Sequence, residues 1–89
     1  MPDLDVILND RGIRYGLFKE HAQISQMIKS IMFDSKDSIE LAADQREALE
    51  MIAHKIARII NGDPNHVDSW IDIAGYAQLV ADRLEGKIR

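Results

Sequence analysis

Apolar residues recur at helical intervals along most of this chain. At 100° per residue, Leu17, Ile24, Met27, Ile28, Ile31 and Met32 fall in one stripe, which predicts a helix over 17–33. His21 lies inside that stripe and is read first as a satisfied core histidine. A second stripe, with Leu49, Ile52, Ala53, Ile56, Ile59 and Ile60, predicts a helix over 42–60. Glu47, Glu50, His54, Lys55 and Arg58 occupy its remaining surface. A third stripe, from Trp70 through Ile73, Ala77 and Val80 to Leu84, predicts a helix over 67–85. No strand-like alternation of any length occurs. The expected fold is all-α, a single helical domain of three helices over 17–89.

The breaks between the stripes are equally legible. Residues 34–40, DSKDSIE, are serines and acids that favour turns and caps, so they read as a linker. Asn61-Gly62 suits a left-handed helix stop, and Pro64 prevents resumption. Asp68 falls in the first turn of the next helix, where the dipole favours a negative charge. So short a turn makes the second and third predicted helices antiparallel neighbours, packed stripe to stripe. Residues 1–16 are expected to be an N-terminal arm followed by a basic loop. RGIRYG, residues 11–16, combines two glycines with two arginines and a tyrosine, which suits a loop able to grip a phosphate by forked hydrogen bonds.

Eighty-nine residues make one small domain, and a helical domain of this size often gains stability by oligomerising, with a dimer as the first expectation. Fifteen acidic against 11 basic residues give a net charge of -4, which argues against general nucleic-acid binding. The absence of cysteine excludes disulfides and thiolate metal sites. The first ten residues do not read as a secretory signal, and no stretch approaches the roughly 20 apolar residues of a membrane span. A cytoplasmic location is expected.

Chemistry is expected at the corner between the second and third helices. Counting back from the turn, Lys55 should lie level with Asp72, and Arg58 with Asp68. Two readings stand. In one, these are interhelical salt bridges that fix the hairpin, worth little where exposed. In the other, Asp68 and Asp72, one turn apart on one face, coordinate Mg²⁺, while Lys55, Arg58 and Tyr76 meet the phosphates that the metal carries. Arg14 joins the phosphate-binding set, and Tyr15 or Tyr76 stacks on a base. His54 is expected to pair with Glu50 one turn earlier. Gly75 and Leu79 fall opposite the third stripe. A mid-helix glycine costs about 1 kcal/mol relative to alanine, so close packing there by the first helix or by a second subunit is expected.

The combination of RGIRYG, KIARIINGDP and DSWIDIAGYAQLVADRL resembles a group of small phage and prophage proteins of unassigned function. They share an R-x-Y-G loop, a K-x-x-R helix end and a D-x-x-x-D-x-x-G-Y helix start, and the likeness covers residues 11–84. More distantly, the chain is similar to the all-α, MazG-like nucleoside triphosphate pyrophosphohydrolases. That resemblance implies an oligomeric helical bundle that holds Mg²⁺ with an E-x-x-E pair and an E-x-x-D pair and cleaves between the α- and β-phosphates. Glu47 and Glu50 would match the first pair, and with Asp72 they form the implied catalytic set. Asp72 matches the second pair only approximately, because the spacing here is Asp68-x-x-x-Asp72. The function expected is nucleotide handling by a phage-encoded protein, as an Mg²⁺-dependent pyrophosphohydrolase or as a binder. The alternatives are a non-enzymatic protein that occupies a host or defence protein through the Gly75–Leu79 face, and a sponge for a nucleotide signal.

Overall fold

The computed structural model describes residues 3–34 and 40–88, and residues 35–39 of the expected linker lie outside them. Four helices appear: α1 (Leu4–Tyr15), α2 (Phe18–Phe33), α3 (Ala43–Asn61) and α4 (Val67–Leu84). The last three are the predicted helices, each bound falling within one residue of expectation. The all-α class is as expected, with four helices in place of three.

The additional helix corrects the reading of the N-terminus as an arm and loop. Asp3 caps α1 by accepting a hydrogen bond from the Asp5 amide at 2.9 Å, and Arg14 reaches back one turn to Asp10 at 3.4 Å. Gly12 sits inside the helix with open space around it, so it neither breaks the helix nor admits a neighbour. The stop is Gly16, at φ 77, a left-handed conformation that favours glycine.

The end of helix α1 is fastened to the far end of α3 through its backbone carbonyls. The Asn61 side-chain amide donates to the carbonyls of Tyr15 and Leu17, both at 3.0 Å. The Asp63 amide donates to the Arg14 carbonyl at 2.6 Å. Here Gly16 and Gly62 let two chain segments touch. A Cβ on Gly62 would lie 2.2 Å from the Arg14 carbonyl oxygen, and one on Gly16 would lie 2.2 Å from that of Asn61. Gly62 has φ -131, so the expected left-handed stop is corrected. This glycine is required for close approach rather than for its sign of φ.

Helix α3 lies in the middle of a single layer, with α2 on one side and α4 on the other, and α2 and α4 do not touch. Both pairs are antiparallel. His21 meets His54 and Phe33 lies under the Arg46 guanidinium across α2–α3; Lys55 meets Asp72 and Asp44 meets Arg83 across α3–α4. The contacts run through small and polar side chains. Among the described residues the buried apolar ones are Ala48, Ala53 and Ala57, accompanied by His21, Ser25, Lys55, Ser69 and Asp82. Stripe-to-stripe packing is therefore corrected. The helices approach chiefly on their alanine and serine flanks, and each stripe leaves large side chains exposed, with Ile31 81%, Ile60 65% and Trp70 54% accessible.

The Arg83–Asp44 pair joins the start of α3 to the end of α4 through two hydrogen bonds of 2.7 Å. The Arg83 guanidinium holds the Asp44 carboxyl below the usual carboxylate range, and Asp44 in return raises Arg83. Because both groups are exposed, Arg83→Ala is expected to lower stability only slightly, and less at high salt, as thermal melts at two ionic strengths would read.

Candidate functional site

The charged corner divides into two unlike parts. In the first, Lys55 is nearly buried and its Nζ lies 2.9 Å from Asp72 Oδ2, the level pairing expected from the turn. Asp68 stands apart, with its Oδ2 3.7 Å from His66 Nε2. The expected Arg58–Asp68 pairing does not form. The register that sets Lys55 opposite Asp72 brings Arg58 level with Ser69, and the guanidinium turns away to lie 4.2 Å over the ring of Tyr15. Asp72→Ala leaves the Lys55 ammonium buried without its partner. Because Asp72 is itself partly exposed, a loss of about 1–2 kcal/mol is expected. A double-mutant cycle with Lys55→Met, followed by urea unfolding, would isolate that pairing.

These contacts also bear on the Mg²⁺ reading. One Asp72 oxygen is taken by an ammonium group, and Asp68 points to a histidine. Among the described residues no three His, Asp or Glu side chains converge as a metal set. Asp68 and Asp72 thus face different partners rather than one another. Glu47 lies in a groove between α3 and α4 with Asp44, Tyr76, Leu79 and Arg83, and Glu50 is half-buried elsewhere on α3. Tyr76 and Asp72 share a shallower groove along α4 with Ile71, Gly75 and Leu79. Gly75 has nothing within 4 Å of where a side chain would begin, so α1 does not pack there.

The second part is a cleft of about 910 Å³ between α1, α2 and α3. Its walls are largely apolar, from Leu8, Ile13, Leu17 and Phe18, and its polar side chains are Asn9, Arg11, Tyr15, Arg58, His21 and His54. The cation–π contact with Tyr15 holds the Arg58 guanidinium at this wall of the cleft. No carboxylate pairs with Arg58 among the described residues. Of the expected phosphate and base contacts, Tyr15 and Arg58 meet in this cleft. Arg14 turns to Asp10, Lys55 to Asp72, and Tyr76 lies in the α4 grooves.

Two histidines form the polar part of this cleft. His21 is buried, as its place in the stripe suggested, and its Nε2 lies 3.3 Å from His54 Nδ1, with the rings edge to face at 4.5 Å between centroids. His54 therefore pairs across the hairpin rather than with Glu50. Burial, first, and then the positive charge of Arg58 push the His54 imidazole down to about 4, with His21, Lys55 and Lys29 adding to the shift. Burial and the same cations lower His21, against an opposing contact from the Ala57 backbone. Both rings are neutral at pH 7. The sequence held a signal for this pair: one histidine on the apolar stripe of α2, and another where an antiparallel α3 returns. Arg11 belongs to the RGIRYG motif read as phosphate-gripping, whereas Phe18 carried no comparable signal.

A small all-α domain with one apolar, arginine-bearing cleft is the class that this fold and site define. The chain belongs to the DUF6378 family, a domain of unknown function, whose family model matches residues 4–84. The match runs from the first residue of α1 to the last of α4, so it includes the helix that forms one wall of the cleft. No curated protein and no solved structure matches the chain. No helix among the described residues is long and apolar enough to cross a membrane.

Proposed function

We propose that this protein binds a nucleotide in the cleft beneath α1. The observation that carries the reading is Arg58, placed over the Tyr15 ring beside two neutral histidines in a largely apolar recess. A nucleotide offers a matching pair of chemistries. Its phosphates suit the forked donors of Arg58 with Arg11 at the rim. Its base suits the apolar wall around Phe18, and the imidazoles present ring nitrogens for hydrogen bonds without adding charge. A base bound there also covers apolar surface that α1 leaves open.

Binding is favoured over cleavage. The Asp72 carboxylate expected to serve a pyrophosphohydrolase is held by Lys55, and the Glu47–Glu50 pair does not join it within one chain. A sponge for a nucleotide signal is the form of the proposal closest to this geometry. A second reading, occupation of another protein's surface, draws on the open α4 groove at Gly75 and Leu79.

The test is isothermal titration with a panel of nucleoside triphosphates, with and without Mg²⁺, assaying the same samples for pyrophosphate. Saturable binding without pyrophosphate is expected. Arg58→Ala should weaken it about 10- to 100-fold, as loss of a charge-assisted hydrogen bond does, while Arg83→Ala leaves it unchanged. Mg²⁺-dependent pyrophosphate release would establish the hydrolase instead. Silence across the panel would turn the question to a protein partner.

A further inference from the structure

The two faces of the α2–α3–α4 layer are unlike. Around α3, Ala48 and Lys55 face α4, while Ala53 and Ala57 face α2. Between these edges, on one side, lie His54 and Arg58 with α1 above them, and the Lys55–Asp72 and Asp44–Arg83 pairs fall toward the same side. On the other side the 100° step places Leu49, Ile52, Ile56 and Ile60, a run without a charge. The flanks of α2 and α4 that turn the same way carry Met27, Ile31, Trp70 and Leu84, each more than half exposed. No helix among the described residues covers this face.

We infer that a second copy of this chain covers it, apolar face to apolar face. A helical domain is ordinarily stable as two packed layers around one core, and here α2–α4 form one layer with α1 alone on its opposite side. Its accessible surface is 6799 Å², against roughly 5300 Å² for a compact monomer of its 10.1 kDa. Its radius of gyration is 15.1 Å, where about 12 Å is expected for its length. The excess area is larger than the roughly 800 Å² per partner that a standard stable interface buries. A second copy is the occupant that these quantities favour. An identical stripe matches in length and in lack of charge, and a two-fold axis crossing α3 between Leu49 and Ile56 sets each against the other's copy. The Arg58 cleft opens on the opposite face, so pairing and ligand binding are separable.

The experiment has a solution arm and a mapping arm. Sedimentation equilibrium of the unmodified protein should give twice 10.1 kDa, with a thermal midpoint that rises with concentration. Ile56→Glu, at the centre of the face, should shift the dissociation constant by at least 100-fold, while Leu79→Glu, exposed on the other face, should leave it unchanged. Should Ile56→Glu fail to fold, hydroxyl-radical footprinting of the unmodified chain decides. Met27 and Trp70 should be protected as concentration rises, with Phe18 remaining reactive. A monomer at every concentration, or protection of Phe18 without Met27 and Trp70, would overturn the inference.

Discussion

Gly62→Ala is expected to destabilise the fold by about 3 kcal/mol or more, a fall in the thermal midpoint on the order of 15 °C. The added methyl would stand 2.2 Å from the Arg14 carbonyl oxygen and 2.4 Å from the Tyr15 Cα. Both are backbone atoms, so no rotamer change relieves the clash, and α1 has to move away from α3. Three hydrogen bonds go with it: the two made by the Asn61 amide and the one from the Asp63 amide to Arg14. The cleft loses a wall at the same time. A matched substitution at Gly12, which is surrounded by open space in mid-helix, should be neutral or slightly stabilising. Thermal melts of the two variants side by side would check the contrast. Equal midpoints would mean that the α1–α3 contact is not part of the folded state.

Acidification from pH 7 to pH 4 should be the next largest effect, costing roughly 2 kcal/mol through His54 once its partly exposed ring is allowed for. In the unfolded chain His54 titrates at its ordinary 6.5, and in the fold it is pushed down to about 4. Between those values the unfolded state binds more protons, so acid favours unfolding. The stability is fully present above pH 6.5, is lost as the pH falls toward 4, and changes little further on this account below that. His21, lowered in the same direction, adds to the loss. Any proton taken up by the pair is placed beside Arg58, Lys55 and Lys29. Urea midpoints measured from pH 7.5 to 4 should slope downward, and His54→Gln should flatten the slope. A flat profile for the unmodified protein would mean that the pair is not buried as described.

The helices α2, α3 and α4 could be read from the sequence because their apolar positions hold the 3.6-residue period and their ends carry Asn61-Gly62, Pro64 and Asp68. The helix α1 could not. Its apolar residues Leu4, Val6, Leu8 and Ile13 remain exposed and make no clean stripe, and Gly12 imitates a loop. Periodicity also locates which side of a helix is apolar without saying what lies against it. Here each stripe leaves some large side chains open, among them Ile31, Ile60 and Trp70, while alanine, serine and a lysine–aspartate pair fill the spaces between neighbours. The Lys55–Asp72 pairing followed from counting residues back from the turn. The meeting of Arg58 with Tyr15 did not, because it depends on α1 being present and folded back on the end of α3.

Helix α1 has no buried residue along its 12 positions, and its anchorage is concentrated in Arg14, Tyr15 and the two glycines. Its amides near Asp5 to Leu8 should therefore exchange with solvent deuterium at free energies close to zero, while those around Asn61 and Gly62 exchange far more slowly. The helix is then an opening unit of its own, attached at one end to a scaffold that stays closed. Because Leu8, Ile13 and Tyr15 line the recess beside Arg58, a ligand seated there should slow exchange along all of α1, including turns that it never touches.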